Sequence, residues 1–236
     1  MKDYTFKPAL SEKVPLLIGL SGPTWTGKTY SALRLATGIV KARGGRIAAI
    51  DTEARRMLQY AKQFTFQYLE FGEPFGSLNY MEAIKAAAKE ADGGCVIVDS
   101  MSPEHEGMGG YLDFHEQEVG RLIQSGGFKN EYSANIPAWN KPSGARRKLI
   151  NALLQLNCAF IFAFRAKEKI KPVTGQAPRE LGWQAIAGEE FSFEMTARCL
   201  LTPGCKGVPD WSMDAQRLGV PKRIDAHEMI LKEGRQ

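Results

Sequence analysis

The chain has little of what metal clusters, secreted folds and membrane proteins are built from. Its four cysteines, Cys95, Cys158, Cys199 and Cys205, are scattered and form no C-x-x-C pair. That excludes a zinc ribbon or a disulfide framework and fits thiols kept reduced in the cytosol. The three histidines are just as scattered and complete no zinc set. No apolar run approaches the ~20 residues that cross a bilayer. The opening Met-Lys-Asp-Tyr-Thr-Phe-Lys-Pro lacks the apolar stretch of a signal peptide. No internal repeat and no clear linker interrupts the 236 residues, so they read as one domain, ample for a hydrophobic core. The expectation is a soluble cytoplasmic protein that makes no use of a membrane.

What is present is a segregation of charge. The formal net charge is only +5, but nine bases (Lys141, Arg146, Arg147, Lys148, Arg165, Lys167, Lys169, Lys171 and Arg179) stand between residues 141 and 179 against Glu168 alone. The stretch from Glu104 to Glu118 is acidic instead. Segregation of this kind predicts a face that binds a polyanion. The plainer alternative is a solvated loop whose lysines serve solubility.

Short apolar runs alternate with helical stretches, which predicts βαβ units and a mostly parallel sheet flanked by helices. Strands are expected at Pro15 to Leu20, Arg46 to Asp51, Phe66 to Phe71, Cys95 to Asp99 and Ala159 to Phe164. Helices are expected at Lys28 to Arg43, from about Tyr80 to Ala91 and from Arg146 to Leu156, with Pro103 to Gln124 partly helical. Ser125 to Pro142 is rich in Ser, Gly, Asn and Pro and reads as loop. Phe191 to Leu201 reads as a last strand, and the remaining polar residues have weak patterning.

The segment Gly22 to Thr29, G-P-T-W-T-G-K-T, lies between the first strand and the first helix. Gly22, Gly27, Lys28 and Thr29 satisfy G-x-x-x-x-G-K-[ST]. The chemistry needs these residue types. Glycines let backbone N–H groups curl around phosphate oxygens, and the helix N-terminus adds its positive end. The lysine reaches the β- and γ-phosphates, and the threonine hydroxyl ligates Mg²⁺. A second carboxylate is then required at the end of a buried strand. Asp99, closing C-V-I-V-D, suits that place and would hold Mg²⁺ directly or through water, although an Asp there also serves as a helix cap. Glu53, just past the second strand, would face the γ-phosphate and orient or deprotonate water. Its other reading is a first-turn acid of a surface helix.

Taken together, these segments resemble the ATPase core of the RecA-like recombinases. The loop is similar to that family's G-P-x-x-x-G-K-T, and I-D-T-E-A (Ile50 to Ala54) resembles its strand ending in the catalytic glutamate. V-I-V-D-S (Val96 to Ser100) resembles the metal-carboxylate strand with its trailing serine, and F-I-F-A-F-R-A-K (Phe160 to Lys167) the strand leading to a DNA-binding loop. The small size is similar to the RecA-like ATPases of bacteriophages, some of which promote single-strand annealing. The likeness runs in order from Leu16 to Leu201. It implies an α/β RecA-like P-loop NTPase fold: an arm at residues 1–14, a core at 15–205 and a C-terminal extension at 206–236 packed on the core. It implies ATP and Mg²⁺ as cofactors, slow DNA-stimulated hydrolysis, and a homo-oligomer, ring or filament, in a bacterial or phage-infected cell. Gly22, Pro23, Thr24, Trp25, Thr26, Gly27, Lys28, Thr29 and Tyr30 would bind the nucleotide, Thr29 and Asp99 the metal, and Glu53, Lys28 and Asp99 would be catalytic.

Two departures from the family are visible. The glutamine that senses the γ-phosphate is replaced by Ala163, so Arg165 is a candidate for that role. The large C-terminal domain of the bacterial recombinases is also absent. Past Phe164 the chain reads R-A-K-E-K-I-K-P-V-T-G-Q, a loop with bases at alternate positions. In the resembled family this segment grips single-stranded DNA, which assigns Arg165, Lys167, Lys169 and Lys171 to a phosphate backbone. Phe6-Lys7-Pro8-Ala9 resembles a Phe-x-x-Ala tether between subunits, and a single-strand-binding protein is a further partner. The alternative is a nucleotide-switched assembly or loader ATPase that binds a protein rather than DNA.

Overall fold

A computed structural model of the chain describes residues 15–171 and 179–209. The Phe-x-x-Ala segment and most of the C-terminal extension lie outside these residues. The elements follow in the order β1 (Leu16–Gly22), α1 (Lys28–Arg43), β2 (Ile47–Asp51), a 3₁₀ turn (Arg56–Tyr60), β3 (Gln67–Glu70), α2 (Ser77–Ala91) and β4 (Cys95–Asp99). Then come α3 (Pro103–Glu106), α4 (Tyr111–Gln124), α5 (Glu131–Ala138), α6 (Asn140–Gln155), β5 (Ala159–Lys171), β6 (Arg179–Ala185), α7 (Glu189–Glu194) and β7 (Ala197–Leu200).

Six strands lie in the order β3-β2-β4-β5-β1-β7, and every neighbouring pair along that path is parallel. β6 stands off this path and pairs antiparallel with β5. Parallel strands covered on both faces must be apolar at every position, which is why β4 and the first half of β5 read as unbroken runs. In β5, Phe160, Phe162 and Phe164 face α2 and α6 together with Tyr80, Ile84, Leu149 and Leu153. Ala159 and Ile161 face Leu33 and Ala36 of α1 on the other side. Burying each such phenylalanine contributes about 1.5–3 kcal/mol. β5 separates β1 from β4, so Gly22 and Asp99 end on the same edge of the sheet with one strand between them.

The helix α1 starts after Gly27, whose φ of 89° only glycine adopts freely, and stops at Gly44, whose N–H closes on Val40 O at 2.8 Å. No side chain caps its N-terminus, leaving the first-turn N–H groups available to an anion.

Three expectations are corrected. Ser125 to Pro142 is not loop: it contains α5 and the start of α6. Asn130 and Ser133 form a reciprocal capping box for α5, and Pro142 falls in the first turn of α6, where no N–H is needed. Phe191 to Leu201 is not a continuous strand either. Gly188 and the acids Glu189 and Glu190 start the short helix α7 before β7 begins at Ala197. The basic loop after Phe164 is a β-hairpin: β5 continues to Lys171 and pairs back with β6, Lys167 opposite Gln184 and Lys169 opposite Gly182.

Several of these charges have partners within the fold. Arg146 is buried and bidentate on Glu104, Lys141 pairs with Glu118 at 2.9 Å, and Lys167 lies 3.7 Å from Glu106. Three of the nine bases thus have their partners in the acidic stretch. Arg147, Lys148, Arg165, Lys167 and Lys169 are the described bases of that stretch that remain exposed beside Lys141.

Candidate active site

The C-terminal ends of β1, β2 and β4 carry Gly22, Asp51 and Asp99 onto one edge of the sheet. The loop from Gly22 to Thr29 folds on itself there. The buried Thr26 hydroxyl donates to Pro23 O at 2.9 Å, and Lys28 Nζ arches back to donate to Gly22 O at 2.9 Å and Pro23 O at 2.8 Å. A side chain at position 22 would meet Leu201 O at 2.5 Å, so glycine is obligatory there for room rather than for torsion. Trp25 has a left-handed backbone, φ 68°, and its ring is 97% exposed, while Thr24 is exposed beside it. Tyr30, in the first turn of α1, packs edge-on against Tyr60 and Phe64 with ring centroids 5.9 and 5.3 Å away.

The Thr29 hydroxyl donates directly to Asp99 Oδ2. Burial pushes the Asp99 carboxyl up to about 6, against the pull of that hydrogen bond, with nearby Glu53 pushing the same way. Burial also lowers the Lys28 amine, while Asp99 and Glu53 draw it back up. A site that strains an amine and a carboxylate in this way is complemented by a phosphate for the one and a cation for the other. A hydroxyl and a carboxylate in contact are the hard oxygen donors Mg²⁺ takes, the remainder coming from phosphate and water. Among the described residues no group of three or more His, Cys, Asp or Glu side chains could hold a metal by itself.

Glu53 lies outside any helix, its side chain 18% exposed. The turn that carries it hangs from buried Asp51, whose Oδ1 accepts the Glu53 N–H at 2.7 Å and whose Oδ2 accepts the Met57 N–H at 3.0 Å. Ala54 and Arg55, the next two residues, both have left-handed backbone at φ 53° and 67°. The Glu53 carboxylate receives Arg165 Nε at 2.9 Å and Nη2 at 2.7 Å. Ala163 itself is buried, and its carbonyl accepts the Met101 N–H at 2.8 Å.

Arg165 begins the projecting part of the hairpin. Its N–H donates to Ser102 Oγ at 2.9 Å, and the same hydroxyl donates to Ile186 O at 2.8 Å, pinning both hairpin strands to the segment after Asp99. A strand's period of two puts Arg165, Lys167 and Lys169 on one face. Lys171 ends β5. Thr52 and Ser100 add a second tie: Ser100 N–H donates to Thr52 Oγ1 at 2.8 Å and Tyr80 OH donates to Ser100 O at 3.0 Å. After β7, residues 202–208 lie along the phosphate loop, with Cys205 Sγ 3.6 Å from Thr26 O and Ser31 Oγ 3.4 Å from Gly207 O. The sequence reading passes over Asp51, Ser102 and this strap. Asp51 had a visible signal, an acid closing a buried strand two residues before Glu53. Nothing local marks the other two.

A parallel sheet flanked by helices, with a phosphate loop leading from its first strand into its first helix, is an α/β P-loop NTPase fold. No protein-family model matches the chain, and no curated protein matches it. Among solved structures it is similar to a KaiC-like protein of the hyperthermophilic archaeon Pyrococcus horikoshii, at 16% identity over 78% of this chain and 70% of that one, TM-score 0.40. It is also similar to the genome packaging NTPase of Sulfolobus turreted icosahedral virus 2, at 14% identity over 64% of this chain and 65% of that one, TM-score 0.33.

Proposed function

We propose that the chain is a RecA-like ATPase that hydrolyses Mg-ATP and acts on single-stranded DNA as a homo-oligomer in recombination or strand annealing. The observation that carries this reading is the direct contact between Glu53 and Arg165. It joins a carboxylate at the phosphate loop to the first residue of a basic hairpin face. Lys28 and the loop amides hold the phosphates, and Thr29 and Asp99 would hold Mg²⁺, which would supply charge neutralisation at the phosphates. Glu53 accepts a proton from the attacking water, the water oxygen bonds to the γ-phosphorus, and ADP departs with the electrons of the bond that breaks. Arg165, Lys167 and Lys169, with Lys171 at the strand end, supply cations for a phosphate backbone.

Steady-state hydrolysis with and without oligo(dT), in the wild type and in Glu53→Gln, tests both halves. Turnover is expected to rise with oligo(dT) and to fall on the order of a hundredfold or more in Glu53→Gln, with nucleotide binding retained. Turnover left intact in Glu53→Gln removes the catalytic assignment. No binding and no stimulation at low salt removes the DNA assignment. The pairing of Lys141 and Lys167 with acids, and exposed Tyr132 and Ile136 on α5, favour the loader alternative. Its signature is ATP-dependent assembly that polynucleotide leaves unchanged.

A further inference from the structure

The carboxylate that the site offers to water is already engaged. Glu53 Oε1 accepts two N–H groups from Arg165, at 2.9 and 2.7 Å, and Glu53 Oε2 faces Arg56 Nη1 at 3.7 Å. The two Arg165 N–H groups occupy Oε1, which is withheld from a water proton, while Arg56 stands beside Oε2 as a cation beyond hydrogen-bond distance. Glu53 has little freedom to leave: its N–H is tied to Asp51, and two left-handed residues follow it. Arg165 is held differently. Its backbone is clamped, N–H to Ser102 Oγ and C=O to the Ile186 N–H at 2.7 Å, but its side chain is 46% exposed on a long stem. It is also the first of the row Arg165, Lys167, Lys169 on one hairpin face. An exposed pair restrains its partner only several-fold, a hold that phosphate contacts on the same face can overcome.

We propose that Arg165 is a positioning residue that keeps Glu53 from the reaction until a phosphate backbone lying along the Arg165–Lys169 face draws its guanidinium away. The hairpin then couples DNA to hydrolysis by a side-chain exchange, with its backbone staying pinned at Ser102. This inference rests on the DNA-dependent reading above and names how that site is regulated.

The test is steady-state hydrolysis by the full chain, as wild type, Arg165→Ala and Arg165→Gln, with and without oligo(dT). Affinity for labelled oligo(dT) is measured separately by fluorescence anisotropy. Without DNA, both variants are expected to turn over roughly 1.5- to 5-fold faster than the wild type, the hold of one partly exposed ion pair. Oligo(dT) then accelerates them less than the wild type by a similar factor. Adding Glu53→Gln to Arg165→Ala returns the rate to that of Glu53→Gln alone. A DNA-free rate unchanged or lowered in both variants overturns the restraint, whatever DNA does. Failure of the wild type to bind oligo(dT), with the DNA-free rates raised, overturns the DNA reading and leaves the restraint standing.

Discussion

Arg146→Met tests how this chain disposes of its charge. The Arg146 side chain is 2% exposed and lies on Glu104, itself 1% exposed, at 2.8 and 3.1 Å. Its guanidinium also reaches His105 Nδ1 at 3.1 Å and sits 3.4 Å from the centre of the Tyr111 ring. Methionine keeps most of the volume but leaves Glu104 a buried carboxylate with the Ser77 hydroxyl as its remaining side-chain partner. Removing one member of a buried pair costs about 3–5 kcal/mol, and the lost ring contact adds about 1 kcal/mol. For a chain of this size each kcal/mol is about 2–4 °C, so the melting midpoint falls by on the order of 10 °C. Glu104→Leu alone leaves the buried guanidinium with Glu190 Oε2 at 3.5 Å as its ionic partner and is also harmful. The double variant recovers much of the summed loss, giving a coupling of about 2 kcal/mol or more. Urea unfolding followed by circular dichroism on the four proteins measures it. Additive losses, or a loss near zero for Arg146→Met, would refute the view that acidic and basic stretches neutralise one another inside the fold.

Two further outcomes follow from single side chains. Burial raises Asp99 from 3.8 to about 6, so the folded state binds that proton more tightly than the unfolded chain. The stability this contributes is complete below the unfolded value and is lost as pH rises through the folded one. Asp99→Asn should therefore match the wild type near pH 4 without nucleotide. Above about pH 6 it should exceed it by up to about 3 kcal/mol (roughly two pH units at about 1.36 kcal/mol each), less what Lys28 loses with its neighbour. Mg-dependent nucleotide binding should be lost, and equal urea stabilities at neutral pH would count against the buried carboxylate. Ser102→Ala leaves the partly buried Arg165 N–H and Ile186 carbonyl without their hydroxyl partner. A loss of about 1 kcal/mol or more is expected, with faster hydrogen exchange at Arg165. Unchanged protection there would show that the hairpin base is held by something else.

The phosphate loop was legible because its chemistry is local. Lys28 closes on Gly22 and Pro23, and Thr26 on Pro23, so a single eight-residue string contains both the parts and their partners. Asp99 and Glu53 were legible as acids at strand ends, since parallel strands deliver their ends to one edge. Which charges neutralise one another was not legible because the partners are remote: Arg146 and Glu104 stand 42 residues apart, and no local rule pairs them. The hairpin was misread although its signal was present. Bases at every second position are the period of a strand, and Pro172 and Gly175 nearby made them look like loop. In the same way Asn130 and Pro142, taken as breakers, are the residues that start helices.

The place of β1 in the sheet governs how the protein can be made. Its neighbours are β5 and β7, with Leu16 beside Ala159 and Ile18 beside Ala197. On a ribosome adding about 5–20 residues per second, the first strand waits roughly 10–30 s for a partner. Through that interval the run Leu-Leu-Ile-Gly-Leu has no neighbouring strand to pair with. A nascent chain stopped before β5 carries every residue of the phosphate loop, with β3, β2 and β4 able to pair but no strand beside β1 to hold the loop in place. Nucleotide capture then reports synthesis at least through β5, and products that stop short of it would remain silent rather than partially active.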